Sequence, residues 1–256
     1  MVAPILPMGL SIQMKGDTVS APYIDMTAGL MQSFGARITK SKNRIHIYPG
    51  AYHPQPFAVE ADWSSAAFWY ESAALATEVD LELKGLIKES LQGDAILHRI
   101  YQNFGINTSF SKTGITLSNG KKKINGYFFD FTDFPDISPP VITTCAMLGL
   151  QGRFEGLKSL KIKETDRLLA LKNEFAKLGI HADISDSDSP TLELKASRVK
   201  PVADLLFESY GDHRMAMTFA MLAIRVGPIR ITNPDVVNKS YPAFWEHLQS
   251  TGFEIK

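Results

Sequence analysis

Lys163, Glu164, Asp166 and Arg167 place two cations and two carboxylates within five positions of Leu160-Lys-Ile-Lys-Glu-Thr-Asp-Arg167. Such a group supplies what proton transfer and anion binding need: a carboxylate to take or give a proton, and cations to neutralise a phosphate. Asp212-His213-Arg214 opens an apolar run, Asp136 lies in Asp133-Phe-Pro-Asp-Ile-Ser-Pro-Pro, and Lys239 lies in Asn238-Lys-Ser-Tyr-Pro-Ala-Phe-Trp. Ser20 and Tyr23 form a polar pair in Val19-Ser-Ala-Pro-Tyr-Ile-Asp25. Each also has an ordinary explanation. A four-charge run can be a solvated ion-pair cluster, Asp136 a helix N-cap, His213 a hydrogen-bonded structural histidine, and Asp212 the partner of Arg214. Ser20 and Tyr23 can be a cap and a packed ring, and Lys239 an ordinary loop lysine. The histidines form no His-x-x-x-His grouping, and the single cysteine rules out Cys-x-x-Cys, so no metal site is signalled.

The elements that must hold these residues are legible from periodicity. Leu168, Leu171, Phe175 and Leu178 recur at helical steps and stop at Gly179, predicting a helix over 165–177. Lys163 and Arg167 then stand at a helix N-terminus, where the macrodipole disfavours cations. Arg214 is expected in the first turn of an apolar helix, with the same difficulty. An anion docking among these cations resolves it.

That helix is one of a series. Gly35, Gly105, Gly179 and Gly252 each close a helix-like segment and lie 70, 74 and 73 residues apart. Short β-like segments follow each glycine, the last being Phe253-Glu-Ile. Asp62, Asp136 and Asp212, 74 and 76 residues apart, are each expected to cap a helix apolar nearly all round and therefore buried. Pro139 and Pro140 suit a helical first turn. Alternating segments predict strands at Leu10-Ser-Ile-Gln-Met, Phe57-Ala-Val-Glu, Val79-Asp-Leu-Glu-Leu, Gly114-Ile-Thr-Leu-Ser, Thr191-Leu-Glu-Leu and Ile229-Arg-Ile-Thr. The unit is strand, buried capped helix, strand, amphipathic helix, then a hairpin-like pair. No Asp-capped buried helix precedes Tyr23, so the chain is expected to begin partway through a repeat; a decayed half-unit is the alternative. Residues 1–59 would finish one subdomain and 60–256 would form the larger body.

Composition narrows the partners. The 256 residues are 45% hydrophobic and 21% charged, with 27 basic residues balanced by 27 acidic ones. A balanced charge gives no footprint for nucleic acid or an anionic membrane, so any basic patch is local. The lone Cys145 sits in an apolar run and fits a reducing, cytoplasmic setting without disulfides. The N-terminus lacks a basic leader and a long apolar core, and no apolar stretch is long enough to span a bilayer.

Lys-Glu-Thr-Asp-Arg at 163–167, Asp-His-Arg-Met-Ala-Met at 212–217, Lys-Ser-Tyr-Pro-Ala-Phe-Trp at 239–245 and Gly-Asp-Thr-Val-Ser-Ala-Pro-Tyr-Ile-Asp at 16–25 together resemble the 5-enolpyruvylshikimate-3-phosphate synthase family (3-phosphoshikimate 1-carboxyvinyltransferases). The resemblance runs essentially end to end. It implies an α/β (α+β) enolpyruvyl transferase fold: two domains of βαβαββ units, helix N-termini facing the cleft, the first domain incomplete here because the family enzyme is longer. It implies transfer of the enolpyruvyl group of phosphoenolpyruvate to the 5-hydroxyl of shikimate 3-phosphate in aromatic amino acid biosynthesis, with neither metal nor redox cofactor. By motif position, Asp136 resembles the base at the hydroxyl and Glu164 the proton donor to the methylene. Arg167, Arg214 and Lys239 resemble the grip on phosphoenolpyruvate, with Lys239 also a candidate for proton transfer. Ser20, Tyr23 and Lys163 resemble ligands of shikimate 3-phosphate. His213 is adjacent. Ser159 stands where many relatives carry Asn, which weakens one sugar contact. The implied partners are these two small molecules, with no nucleic acid or membrane and a monomeric parent. The 256-residue chain alone is expected to be inactive. Alternatives are a non-catalytic phosphate-binding fragment and the sister transferase acting on UDP-N-acetylglucosamine, whose second domain lacks the Asp-His-Arg-Met-Ala-Met pattern.

Overall fold

The computed structural model describes residues 1–16, 18–199 and 204–256; Asp17, within the first of the four motifs, lies outside them. Three buried helices, α2 (Trp63–Leu75), α4 (Ser138–Met147) and α6 (His213–Ala220), pack on one another at the centre. They are apolar nearly all round, as helices enclosed on every side must be. Two are flanked by parallel strand pairs: β7 (Gly126–Asp130) with β8 (Gln151–Glu155) around α4, and β11 (Leu205–Phe207) with β12 (Ile229–Ile231) around α6. After α2 comes β4 (Asp80–Lys84).

Amphipathic helices and antiparallel hairpins complete the units. α1 (Ala21–Ser33) leads to β2 (Ile38–Ser41) and β3 (Arg44–Ile47), and β3 also pairs with β1 (Leu10–Gln13). α3 (Leu97–Asn103) leads to β5 (Ile106–Phe110) and β6 (Gly114–Asn119), and β6 pairs with β4. α5 (Arg167–Lys177) leads to β9 (Ala182–Ile184) and β10 (Leu192–Leu194), and β10 pairs with β8. The chain then runs through α7 (Ala223–Val226) and α8 (Phe244–Ser250). Gly35, Gly105, Gly179 and Gly252 all take positive φ, between 70° and 100°, which explains the recurrence of glycine after each amphipathic helix. The helices fall where the periodicity places them, with boundaries shifted by no more than four residues; the run expected through Ile224 breaks into α6 and α7.

Three local expectations fail, each for a physical reason. Phe57-Ala-Val-Glu forms no strand: Pro54 and Pro56 remove two backbone donors just upstream, and Val59 is 87% exposed. Phe253-Glu-Ile forms none either, having no strand to pair with among the described residues. Asp62 and Asp212 do cap α2 and α6, accepting from Ser64 and Ser65 N–H and from Arg214 and Met215 N–H. Asp136 does not cap α4. It lies in the 3₁₀ turn Pro135–Ile137, and Pro139 and Pro140 leave the first turn of α4 short of N–H donors.

The buried side chains form two clusters. A small one contains Ala3, Met31, Ala36, Ile45 and Ile47. A large one extends from Trp63 to Leu248 and contains Cys145. Among the described residues, no helix is long and apolar enough to cross a membrane. Within the large cluster, Glu71 of α2 is fully buried, and neither carboxyl oxygen finds a partner among the described residues. Burial raises its pKa well above the ordinary carboxyl value of 4.5. The folded state therefore holds a proton that the unfolded chain releases above about pH 4.5, so this group's contribution to stability falls as pH rises past that point. Glu71→Met is expected to raise unfolding stability by about 1–3 kcal/mol, the usual cost of an unmatched buried polar group. Denaturant unfolding should show a larger gain at alkaline than at acid pH; a loss at both would mean that an unseen partner holds the carboxyl.

Candidate active site

The chemically equipped residues converge from separate elements. Asp136 sits on the turn between β7 and α4, and Lys163 and Glu164 on the segment entering α5. Arg167 is the first residue of α5, with Asp166 as its N-cap accepting from Leu169 N–H. Asp212, His213 and Arg214 open α6, and Lys239 ends the 3₁₀ turn Pro234–Lys239 after β12. Tyr23 comes from the first turn of α1. The helix starts are thus turned toward one another, and the repeat is what brings them there.

Arg167 is the hub. It is 1% exposed and touches three carboxylates. Its Nε donates to Asp212 Oδ2 at 2.8 Å, its Nη2 to Glu164 Oε2 at 3.0 Å, and its Nη1 to Asp136 Oδ1 at 3.3 Å. Asp136 also meets Lys163 Nζ at 3.2 Å and Arg214 Nη2 at 3.4 Å. Glu164 Oε1 accepts from Lys239 Nζ, and Tyr23 Oη donates to Asp136 Oδ2 at 3.3 Å. The network is continuous, with four cations against three carboxylates, a surplus of one positive charge. The cations at helix starts therefore already have carboxylate partners, and only the surplus is left for a ligand.

One expected pairing changes. Asp212 holds Arg167 and not Arg214, whose partner is Asp136. Arg167 is enclosed, while Lys239 and Lys163 are the cations reaching solvent. His213 is buried, its Nδ1 3.9 Å from Asp212 Oδ1 and without a hydrogen bond among the described residues. Ser20 and Ser159 stay outside the network. Ser20 takes a left-handed conformation before α1, its N–H donating to Thr132 O at 2.9 Å, and its side chain caps nothing. Ser159 is half-buried on the 3₁₀ turn Lys158–Ile162.

Charge sets the protonation states. Burial works to raise Asp136, but Arg214, Lys163 and Arg167 together hold its carboxyl below the ordinary value. Burial opposes ionisation of Glu164 as well, yet hydrogen bonding from Lys239 and the charge of Arg167 bring it down to about 2. Both are anions at neutral pH. Burial, then Asp94, push the Tyr23 hydroxyl upward, so it remains a donor. Burial and the neighbouring Arg214 lower His213, favouring the neutral ring.

Asp94 is a residue that motif reading passes over. It lies on the 3₁₀ turn Gly93–Ile96, accepts from Ser64 Oγ at 2.5 Å and lies 3.5 Å from Tyr23 Oη. The repeat carries the missed signal: Asp94 precedes Gly105 by 11 residues, where Tyr23 and Arg167 precede their glycines by 12.

A family model described as EPSP synthase (3-phosphoshikimate 1-carboxyvinyltransferase) matches residues 1–248. A 3-phosphoshikimate 1-carboxyvinyltransferase of Bacteroides fragilis is 42% identical over 257 residues, covering all of this chain and 62% of that protein. One of Idiomarina loihiensis is 30% identical, covering 97% of this chain and 57% of its own length. The chain thus spans about three-fifths of the length of the curated relatives it matches. Among solved structures, an EPSP synthase of Acinetobacter baumannii aligns with TM-score 0.76 at 23% identity, covering all of this chain and 59% of that one. The enolpyruvyl transferase NikO of Streptomyces tendae aligns with TM-score 0.67 at 14% identity, covering 99% of this chain and 58% of its own. Both share the fold, which is the enolpyruvyl transferase fold that the motif resemblance implies.

Proposed function

The chain belongs to the EPSP synthase (3-phosphoshikimate 1-carboxyvinyltransferase) family, and we propose that its acid–cation wall serves transfer of the enolpyruvyl group of phosphoenolpyruvate to the 5-hydroxyl of shikimate 3-phosphate. The observation that carries this reading is the single network joining Asp136 and Glu164 to Lys163, Arg167, Arg214 and Lys239. Asp136, held as an anion, accepts the hydroxyl proton as the oxygen attacks the central carbon of phosphoenolpyruvate. The methylene carbon takes a proton through the Lys239–Glu164 pair, giving a tetrahedral adduct. Loss of a proton from the new methyl group then expels phosphate. Nothing in this chemistry requires a metal or redox cofactor. Lys239 and Lys163 meet the substrates first because they reach solvent; Arg214 neutralises phosphate beside them, and Arg167 engages if Glu164 swings aside. Tyr23 and Ser20 line the shikimate 3-phosphate side, with Ser159 and His213 flanking.

Two separate cores support a division into 1–59 and 60–256. The remaining substrate contacts would come from the length that relatives carry beyond the matched region. The 256-residue chain by itself then binds substrate without turning it over, as positioning across a cleft demands. The whole enzyme would be a cytoplasmic monomer acting on small molecules.

Calorimetric titration of phosphoenolpyruvate into the chain tests this. Saturable binding is expected, weakened tenfold or more in Arg214→Ala by loss of about 1.5–3 kcal/mol of charged hydrogen bonding. Equal affinity in the variant would remove Arg214 from the anion grip.

A further inference from the structure

Tyr23 stands between two carboxylates with one hydrogen to give. Its Oη lies 3.3 Å from Asp136 Oδ2 and 3.5 Å from Asp94 Oδ2. Burial and Asp94 both push the phenol upward, so it keeps that hydrogen. Asp94 is 3% exposed, too enclosed to meet a substrate, so any part it plays runs through Tyr23. Its Oδ2 also accepts from Ser64 Oγ at 2.5 Å, and its Oδ1 meets no donor among the described residues. A phenol O–H serves two carboxylates in full only if one of them carries a proton of its own. With Asp94 ionised, the hydrogen is shared and Asp136 receives less of it. With Asp94 protonated, the carboxyl O–H can turn to Tyr23 Oη, and the phenol hydrogen goes wholly to Asp136. A hydrogen bond to an anion stabilises it and makes it a weaker base, and a nearby like charge does the reverse. Both effects make Asp136 the stronger base while Asp94 is ionised.

We propose that Asp94 is a positioning residue for the transfer: through Tyr23 it sets how much of the phenol hydrogen Asp136 receives, and so how readily Asp136 takes the substrate's proton. This rests on the role of base proposed above for Asp136. The groups around Asp94 come from several elements. α1 contributes Tyr23, the start of α2 Asp62 and Ser64, the turn before α4 Asp136, and α6 Arg214. In α3, His98 Nδ1 lies 2.6 Å from Ala95 O, and Arg99 is exposed. Burial raises the Asp94 carboxyl to about 6; Ser64 and Arg214 oppose the rise, and Asp136 and Asp62 add to it. Asp94 therefore loses its proton as pH rises through about 6, far above the ionisation of Asp136, whose carboxyl is held below the ordinary value. The base is already charged at that point, and the ionisation of Asp94 strengthens it.

Carboxyl-carbon NMR titration of the 256-residue chain tests the link without reference to activity. The Asp136 resonance, assigned by its loss in Asp136→Asn, is expected to show an inflection near pH 6 that disappears in Asp94→Asn and shrinks in Tyr23→Phe. In Ser64→Ala the inflection moves to higher pH, because the Ser64 hydrogen bond holds Asp94 down. A thermal unfolding midpoint confirms that each variant has folded. The role in the reaction is read from an enzyme of the relatives' length carrying these residues. There Asp94→Asn is expected to lower kcat about tenfold, with KM for both substrates within about twofold, and to abolish a step near pH 6 in the kcat profile. A step that persists in Asp94→Asn belongs to the substrate phosphates, which ionise near about 6, and overturns the proposal. An Asp136 resonance blind to Asp94, or an unchanged kcat in Asp94→Asn, overturns it as well. If the parent enzyme releases no phosphate from the two substrates, the proposed reaction falls and this role with it; the carboxyl titration tells that failure from a failure of the link.

Discussion

Arg167→Met lowers unfolding stability by about 3–5 kcal/mol, the largest loss expected of any substitution in the network. The magnitude comes from what is left behind. Asp212 is fully buried and already caps α6, and Arg167 Nε and Nη2 are its side-chain cationic partners. Removing the guanidinium strands that charge in the core, and Asp136 and Glu164 each lose a partner as well. For a chain of this size the melting temperature should drop by roughly 6–20 °C. Arg167→Lys should recover only part, because an ammonium cannot span three carboxylates as a planar fork does. Acid has a related effect. Asp136 and Glu164 have folded pKa values below their unfolded ones, so their stabilisation is complete above about pH 4.5 and is lost as pH falls toward about 2. A melting temperature within a degree or two of the parent would show that Asp212 is neutral or hydrated and that Arg167 is no hub.

Glu164→Gln separates chemistry from stability. The Lys239–Glu164 pair faces solvent, where ion pairs contribute about 1 kcal/mol or less, and Gln can still accept from Arg167, which keeps Asp136 and Asp212, so the fold should lose far less than in Arg167→Met. In an enzyme of the relatives' full length carrying this wall, kcat should nonetheless fall roughly 10²–10⁴-fold, the usual contribution of a positioned acid or base. Gln keeps the side chain's shape and its acceptor for Lys239, but it cannot hold the transferred proton. KM for phosphoenolpyruvate should change little, since the cations remain. A loss of less than tenfold in kcat would place the proton donor elsewhere, with Lys239 the next residue to test.

Local rules carried much of the fold. Positive-φ glycines after each amphipathic helix and side-chain caps at Asp62 and Asp212 depend on a few neighbouring residues, and both were legible. Asp136 shows the limit of the rule: its position matched the other two aspartates, but adjacent prolines removed donors a cap needs and left its carboxyl for Lys163, Arg167 and Arg214. The strand expected at Phe57 failed because pairing depends on a neighbouring strand, not on alternation within the segment. In the candidate site, the motifs picked out charged residues that the fold brings together but not the pairings among them. Asp136, Glu164 and Asp212 meet on Arg167 only once α4, α5 and α6 are packed, and no local pattern encodes that meeting. Asp94 was hidden for a different reason: its segment carries no motif, and only its place in the repeat sets it beside Tyr23.

Phosphate release, measured with phosphoenolpyruvate and shikimate 3-phosphate supplied singly and together to an enzyme of the relatives' length bearing these residues, addresses the central claim most directly. The network of Asp136, Glu164 and their cations predicts release only when both are present, in step with formation of the enolpyruvyl ether. Release from phosphoenolpyruvate alone at the same rate, or none with both, would contradict it.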